Sequence, residues 1–267
     1  MIRRMSTIDV STLFSLDGKA ALITGGSRGI GRMIAEGYLQ AGARVYISAR
    51  KREACDRTAA ELSSMGTCVS LPGDVSTAEG RAALVEELGS RESALHILVN
   101  NAGANWAAPF GEFPEAGFRK VIDLNLNAVY FLTQDLAPML EQAASAEDPA
   151  RVINVGSMDG VHVPTIIPAG TFAYSSSKAG VHHLSRCLAV ELGPRHITVN
   201  AIAPGYFESK MTAVVLKQYG DRIRQACPLD RIGRPEEMAG IAIYLASRAG
   251  AYTNGAVIPV DGGTCAN

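Results

Sequence analysis

The sequence predicts an α/β fold: a parallel sheet of seven strands with helices on both faces, in a single domain. Three observations carry this. From Lys19 onward, short apolar runs rich in β-branched residues alternate with longer stretches. Most of those longer stretches place apolar residues three and four apart, the spacing of a helix that covers a sheet. No long linker, internal repeat or shift of composition divides the chain.

The strands fall at 19–24 (KAALIT), 44–48 (RVYIS), 68–72 (CVSLP), 97–100 (ILVN), 151–155 (RVINV), 198–203 (TVNAIA) and 257–260 (VIPV). Helices are expected over 30–41, 51–65, 77–89, 114–142, 174–192, 213–226 and 235–246. Gly42 and Gly66 follow the first two helices, and Pro235 with Glu236 and Glu237 opens the last, which is ordinary start and stop chemistry. Residues 1–15 read as an extension outside the fold, and 16–267 as the domain. The basic start Met1-Ile2-Arg3-Arg4 lacks the apolar region of a signal peptide, because Ser6, Thr7, Asp9, Ser11 and Thr12 interrupt it.

Composition narrows the function classes. Lysine and arginine number 25 against 26 acidic residues, so no global field attracts nucleic acid or an anionic membrane. Five cysteines without a C-x-x-C pair speak against a disulfide framework or a zinc site, and for a reducing cytoplasm. His182 and His183 are adjacent, point to different helix faces and cannot readily share a metal, so no metal is expected.

The first strand runs into Thr24-Gly25-Gly26-Ser27-Arg28-Gly29-Ile30-Gly31 and then an amphipathic stretch. Glycines at 25, 29 and 31 let backbone N–H groups approach a pyrophosphate at a helix N-terminus, so Gly25, Ser27, Arg28, Gly29, Ile30 and Gly31 are candidate nucleotide contacts. Together with the alternation, this makes the sheet a doubly wound one of the Rossmann type. An NAD-specific fold usually carries an acid at the end of the second strand; here the chain reads Ser48-Ala49-Arg50. Arg50 and Arg28 could instead fork onto a 2′-phosphate, which favours NADP(H), unless both are simply solvated charges. Asp74-Val75 follows the third strand, where an acid could accept from the adenine amino group. Asn101, Ala102 and Gly103 follow the fourth, either touching the cofactor or fixing the loop.

Tyr174 and Lys178 stand one helical turn apart on one face. An ammonium near a phenol stabilises the phenolate, so Lys178 should lower the Tyr174 pKa and let it exchange a proton with an alkoxide as hydride moves.

The ordered set T-G-x-x-x-G-I-G, N-N-A-G at 100–103, Asn125, Ser157, Y-x-x-x-K at 174–178 and Pro204-Gly205 resembles the short-chain dehydrogenase/reductase family over residues 17–263. The resemblance implies that Ser157 orients the substrate carbonyl, Tyr174 transfers the proton and Lys178 binds the nicotinamide ribose. It further implies that Asn125 holds a relay water and that Pro204 and Gly205 line the nicotinamide. Where many relatives carry threonine after Pro-Gly, Ser209 stands as a replacement. Tyr174 stands seventeen positions beyond Ser157, a longer run than the dozen or so usual in the family, so 161–172 is expected to form a reshaped substrate loop. His162 within it, and Trp106, Phe110 and Phe113, either border the substrate or merely pack.

Within the family, G-R-P-E-E-M at 233–238 and V-D-G-G at 260–263 look most like 3-oxoacyl-(acyl carrier protein) reductases, the type associated with rhamnolipid biosynthesis included. The expected reaction is NADPH-dependent reduction of a 3-oxoacyl thioester or related β-keto substrate, in lipid or fatty acid metabolism. An acyl carrier protein is a possible partner, with Arg195 as a docking cation, although Glu147 and Asp148 oppose it. Dehydrogenation of a polyol, sugar acid or cyclic alcohol is the alternative, and a non-catalytic nucleotide-binding protein the remote one. The resemblance also implies a homodimer or homotetramer.

Overall fold

The computed structural model describes residues 9–164 and 170–266. Its seven strands are β1 (Ala20–Thr24), β2 (Arg44–Ser48), β3 (Cys68–Ser70), β4 (Ile97–Asn100), β5 (Ala150–Val155), β6 (Ile197–Pro204) and β7 (Val257–Val260). They form one parallel sheet in the order β3-β2-β1-β4-β5-β6-β7. The order reverses between β1 and β4, which opens a crevice at the carboxyl ends of those two strands.

The helices are α1 (Val10–Leu13), α2 (Gly29–Gln40), α3 (Arg52–Leu62), α4 (Ala78–Gly89), α5 (Glu115–Ile122), α6 (Ala128–Ala143), α7 (Phe172–Leu192), α8 (Ala213–Ala226) and α9 (Pro235–Ala246). On one face of the sheet α2, α3 and α9 bury Ile34, Tyr38, Leu62, Met238 and Leu245 against Ile23, Ile47 and Ile153. On the other, α4, α6 and α7 bury Leu88, Leu132, Leu136 and Leu188 against Leu22, Leu98 and Val152. Strand residues alternate between the two cores because successive side chains leave opposite faces. Leu16 is in the first core and its N–H donates to Ala41 O, whereas Val10 and Phe14 before it are exposed.

One expected helix is refined. The stretch 114–142 is helical almost throughout, but a π-helical turn over Asp123–Asn127 separates α5 from α6. Such a wide turn inserts an extra residue into the i→i+4 ladder and re-aims the side chains around it. Asn125 sits at its centre and is buried. In the expected substrate loop, residues 165–169 lie outside the described residues, and Gly170 O accepts from Ala108 N at its far end.

Candidate active site

A cavity of about 490 Å³ lies in the crevice at the carboxyl ends of the strands. Its floor is built by hydrogen bonds across the order reversal. Thr24, the last residue of β1, uses its Oγ1 to accept from Asn101 N (3.0 Å) and Ala102 N (3.0 Å). Asn101 in turn donates from Nδ2 to Thr24 O (2.8 Å) and Gly25 O (3.2 Å). Gly25 has φ +66°, and a Cβ on Gly31 would stand 2.4 Å from Asn101 Nδ2 and 2.5 Å from Gly25 O. Only glycine lets these two loops approach so closely. Gly31 thus backs the loop from within α2, while Gly25, Ser27, Arg28, Gly29 and Ile30 line the cavity itself.

At the far end from the tyrosine, Arg28 and Arg50 are both exposed on the rim. Arg50 Nη1 lies 3.9 Å from Asp74 Oδ2, a loose contact that leaves the guanidinium available. Asp74 Oδ1 is occupied by Ser76 N and Oγ at 3.0 and 2.6 Å, and Val75 packs into the second core beside it. Ser48, at the end of β2, lines the cavity with its Oγ buried and without a hydrogen-bond partner among the described residues. A buried hydroxyl without a partner is costly, and a ligand hydroxyl or phosphate would relieve it. The glycine turn, the exposed Arg28 and Arg50 and this orphaned hydroxyl therefore fit a phosphorylated dinucleotide.

Ser157, Tyr174 and Lys178 line the other end, with Gly103, Pro204 and Gly205. Ser157 follows β5, and its Oγ accepts from Asp159 N (3.1 Å). Lys178, on α7 one turn beyond Tyr174, is buried, donates from Nζ to Val155 O (2.7 Å) and lies 5.6 Å from the centre of the Tyr174 ring. Burial lowers its ammonium from the ordinary lysine range to about 8.

The expected effect on Tyr174 is corrected. Burial pushes its phenol up to about 12, the Ser157 hydrogen bond acting against that and the Asp159 charge with it. Desolvation of the phenolate is the largest cause, while the Lys178 ammonium lies over the Tyr174 ring and donates to the Val155 carbonyl. At neutral pH the phenol therefore keeps its proton.

Asn125 stands behind this wall. Its Oδ1 accepts from Ala104 N (2.8 Å), and its Nδ2 donates to Ala104 O (2.9 Å) and Ser177 Oγ (3.0 Å). Both amide hydrogens are thereby used, and the amide ties the loop after β4 to α7. His182 is a site residue the sequence reading set aside. Its Nε2 accepts from Ser157 N (3.4 Å), and burial holds the imidazole down at about 4. A Cβ on Gly156 would come within 2.1 Å of that nitrogen, so Gly156 makes room for it. The signal was present: Tyr174, Lys178 and His182 continue one helix face at four-residue steps.

Ser209 and Thr212 both line the cavity and bond to each other, Oγ to Oγ1, at 2.9 Å. Trp106 packs on Gly117, and Phe110 and Phe113 make edge contacts with Phe172, so these aromatics brace the loop after β4. Arg195 is spent on Glu141 (3.0 Å) and Glu191 (3.2 Å), which removes it as a free docking cation. Among the described residues no helix is long and apolar enough to cross a membrane.

Comparison with known proteins decides the family. The family model described as enoyl-(acyl carrier protein) reductase matches residues 25–265. The rhamnolipids biosynthesis 3-oxoacyl-[acyl-carrier-protein] reductase of Pseudomonas aeruginosa is 50% identical over 252 residues, covering 94% of this chain and 97% of that one. The chain is a short-chain dehydrogenase/reductase. As such it superposes on the Pseudomonas aeruginosa RhlG/NADP active-site complex with a TM-score of 0.91 at 50% identity, over 95% of this chain and 99% of that one. The 5-keto-D-gluconate 5-reductase of Escherichia coli is 36% identical over 259 residues, 95% of this chain and 98% of that enzyme.

Proposed function

We propose that this short-chain dehydrogenase/reductase reduces a ketone to a secondary alcohol with NADPH, and that the ketone is a 3-oxoacyl thioester or a related β-keto compound. One observation carries the reading: Ser157, Tyr174 and Lys178 line the same cavity as the exposed Arg28 and Arg50. The likeness to the Pseudomonas reductase and its NADP complex supports the choice of cofactor and substrate.

Bound NADPH supplies the hydride. Gly25, Ser27, Gly29 and Ile30 would hold its pyrophosphate, and Arg28 and Arg50, with Ser48, would take the 2′-phosphate. Asp74 and Val75 would serve the adenine, and Asn101, Ala102 and Gly103 would contribute further contacts. Lys178, with donors beyond the one given to Val155 O, would hold the nicotinamide ribose, and Pro204 and Gly205 would contribute to the nicotinamide site. Ser157 donates to the substrate carbonyl, and its orientation follows from Asp159 N and His182. Tyr174, protonated at neutral pH, gives its proton to the oxygen as the carbonyl becomes an alkoxide. Asn125 supports Lys178 through Ser177 and the loop at Ala104, where a relay water would reach the ammonium.

The domain would span 16–267 and be preceded by an extension over 1–15, of which residues 1–8, like residue 267, lie outside the described residues. Partly exposed Tyr130 and Phe131 on α6 and strongly exposed Val190 on α7 support a homodimer or homotetramer. Five unpaired thiols suit the cytoplasm. Docking of an acyl carrier protein would need cations other than Arg195.

The test is consumption of NADPH with an acetoacetyl thioester by the parent and by Tyr174→Phe. The variant should lose about 10²- to 10⁴-fold in kcat, the usual contribution of a positioned general acid. Equal rates would remove Tyr174 from the reaction.

A further inference from the structure

Beside the glycine turn the cavity carries a cation that the chemistry above leaves unused. After Pro204-Gly205 the chain runs through Phe207 into a tight turn over residues 209–212, and Phe207, Ser209, Lys210, Met211 and Thr212 all line the cavity. This stretch is anchored at both ends. Phe207 is buried and bridges to Gly233, whose N–H donates to Tyr206 O (2.9 Å). Thr212 Oγ1 donates to Phe207 O (2.6 Å) and accepts from Ser209 N (3.0 Å), while Thr212 N donates to Ser209 Oγ (3.2 Å). Side-chain hydroxyls thereby fix the backbone that bears Lys210.

The turn stands against the end of α2 that suits an anion. A Cβ on Gly29, the first residue of α2, would lie 3.2 Å from Ser209 Cβ. Ser209 is thus within contact range of the glycine turn, and Lys210 follows it directly. Lys210 is exposed, and its ammonium has no hydrogen bond or ion pair among the described residues. The cavity lining sets the cations Arg28, Arg50, Lys178 and Lys210 against the carboxylate of Asp74. With Arg28 and Arg50 on a 2′-phosphate and Lys178 on a ribose, the pyrophosphate is left to backbone N–H groups. Each of its phosphoryl groups carries a full negative charge, whereas a helix N-terminus offers only about half an elementary charge. Lys210 is the cation of the lining that can supply the rest.

We propose that Lys210 is a cofactor-binding residue whose ammonium pairs with the pyrophosphate of the dinucleotide. NADPH and NADH share that group, so the contact strengthens both alike and takes no part in choosing between them. Selection stays with Arg28 and Arg50 at the 2′-phosphate. This inference rests on the dinucleotide reading and adds a residue to it.

The experiment titrates NADPH and NADH by fluorescence, and adenosine 2′-monophosphate by displacement of NADPH, into the parent chain and Lys210→Ala. The variant should bind both dinucleotides about tenfold more weakly, the loss expected for one hydrogen bond to a charged group. The ratio of the two affinities, and the affinity for adenosine 2′-monophosphate, should stay within about twofold of the parent's, since neither involves the pyrophosphate. Lys210→Arg should recover most of the loss, and Lys210→Glu should deepen it. Lys210→Met, which keeps the length of the side chain and removes its charge, should match the alanine variant, so that a folding defect in one variant does not decide the result. Added salt should weaken both dinucleotides more steeply in the parent than in Lys210→Ala. Parental affinity in every variant overturns the proposal. So does a loss confined to NADPH or shared by adenosine 2′-monophosphate, which would place Lys210 on the 2′-phosphate. A raised KM for acetoacetyl-coenzyme A with dinucleotide affinity intact also overturns it, by placing Lys210 on a phosphate of the substrate. Each of these leaves the reductase reading standing, whereas a parent that binds neither dinucleotide overturns both.

Discussion

Half-buried Tyr174 and buried Lys178 line one cavity, and desolvation drives them in opposite directions. The phenol rises to about 12 and stays protonated across the physiological range, while the ammonium drops to about 8 and begins to lose its charge there. For ketone reduction the proton on Tyr174 is therefore not limiting, and Lys178 is. With the group charged below its pKa and neutral above it, kcat/KM should be level at neutral pH and fall about tenfold per unit once the pH passes about 8. A profile level to pH 10 would show that the Lys178 charge is not needed. Arg28→Ala combined with Arg50→Ala should weaken NADPH by about 2 kcal/mol or more and leave NADH nearly unchanged, measured by fluorescence titration of each nucleotide. That Tyr174, Lys178, Arg28 and Arg50 line one cavity was legible, because it depends on spacing along one element or on a strand end. The part of Ser48 was not. What marks it is an oxygen without a partner among the described residues, a property of packing that no residue pattern records.

At the level of elements, the π-helical turn between α5 and α6 is the feature the sequence concealed. Apolar periodicity runs through 114–142 without a break, because one inserted residue leaves no compositional mark. The turn carries Asn125, whose amide satisfies the N–H and C=O of Ala104 as a neighbouring strand would. Asn125→Ala leaves that peptide pair and Ser177 without their partner. It should cost about 1–3 kcal/mol in a chemical denaturation curve and lower kcat as the loop after β4 loosens. A variant with parental stability and rate would show that this contact is dispensable. Gly31→Ala should lose dinucleotide binding about tenfold or more, since the added methyl drives Asn101 off the glycine turn. The glycine turn was legible from its context of strand and helix, but its dependence on Asn101, 70 residues later in the chain, was not.

For the molecule as a whole, alternation of apolar runs and amphipathic stretches was enough to find seven strands, because β1, β2, β4, β5 and β6 are buried along nearly all their length, while the edge strands β3 and β7 are only partly buried and still apolar. Their order could not be read the same way; it is set by which crossover folds back over which face. Val190→Glu with Tyr130→Glu should shift sedimentation toward the monomer, if α6 and α7 form the contact between copies. An unchanged sedimentation coefficient would place that contact elsewhere. The bonds from Thr24 to Asn101 and Ala102 join two chain segments that are synthesised far apart in time. A nucleotide that grips both should act as a staple between an early and a late part of the polypeptide. Amide exchange at the ends of β1 and β4 should then slow together on adding NADPH, and the thermal midpoint should climb with its concentration. Retardation at one strand end alone would mean that the two halves of the crevice open independently.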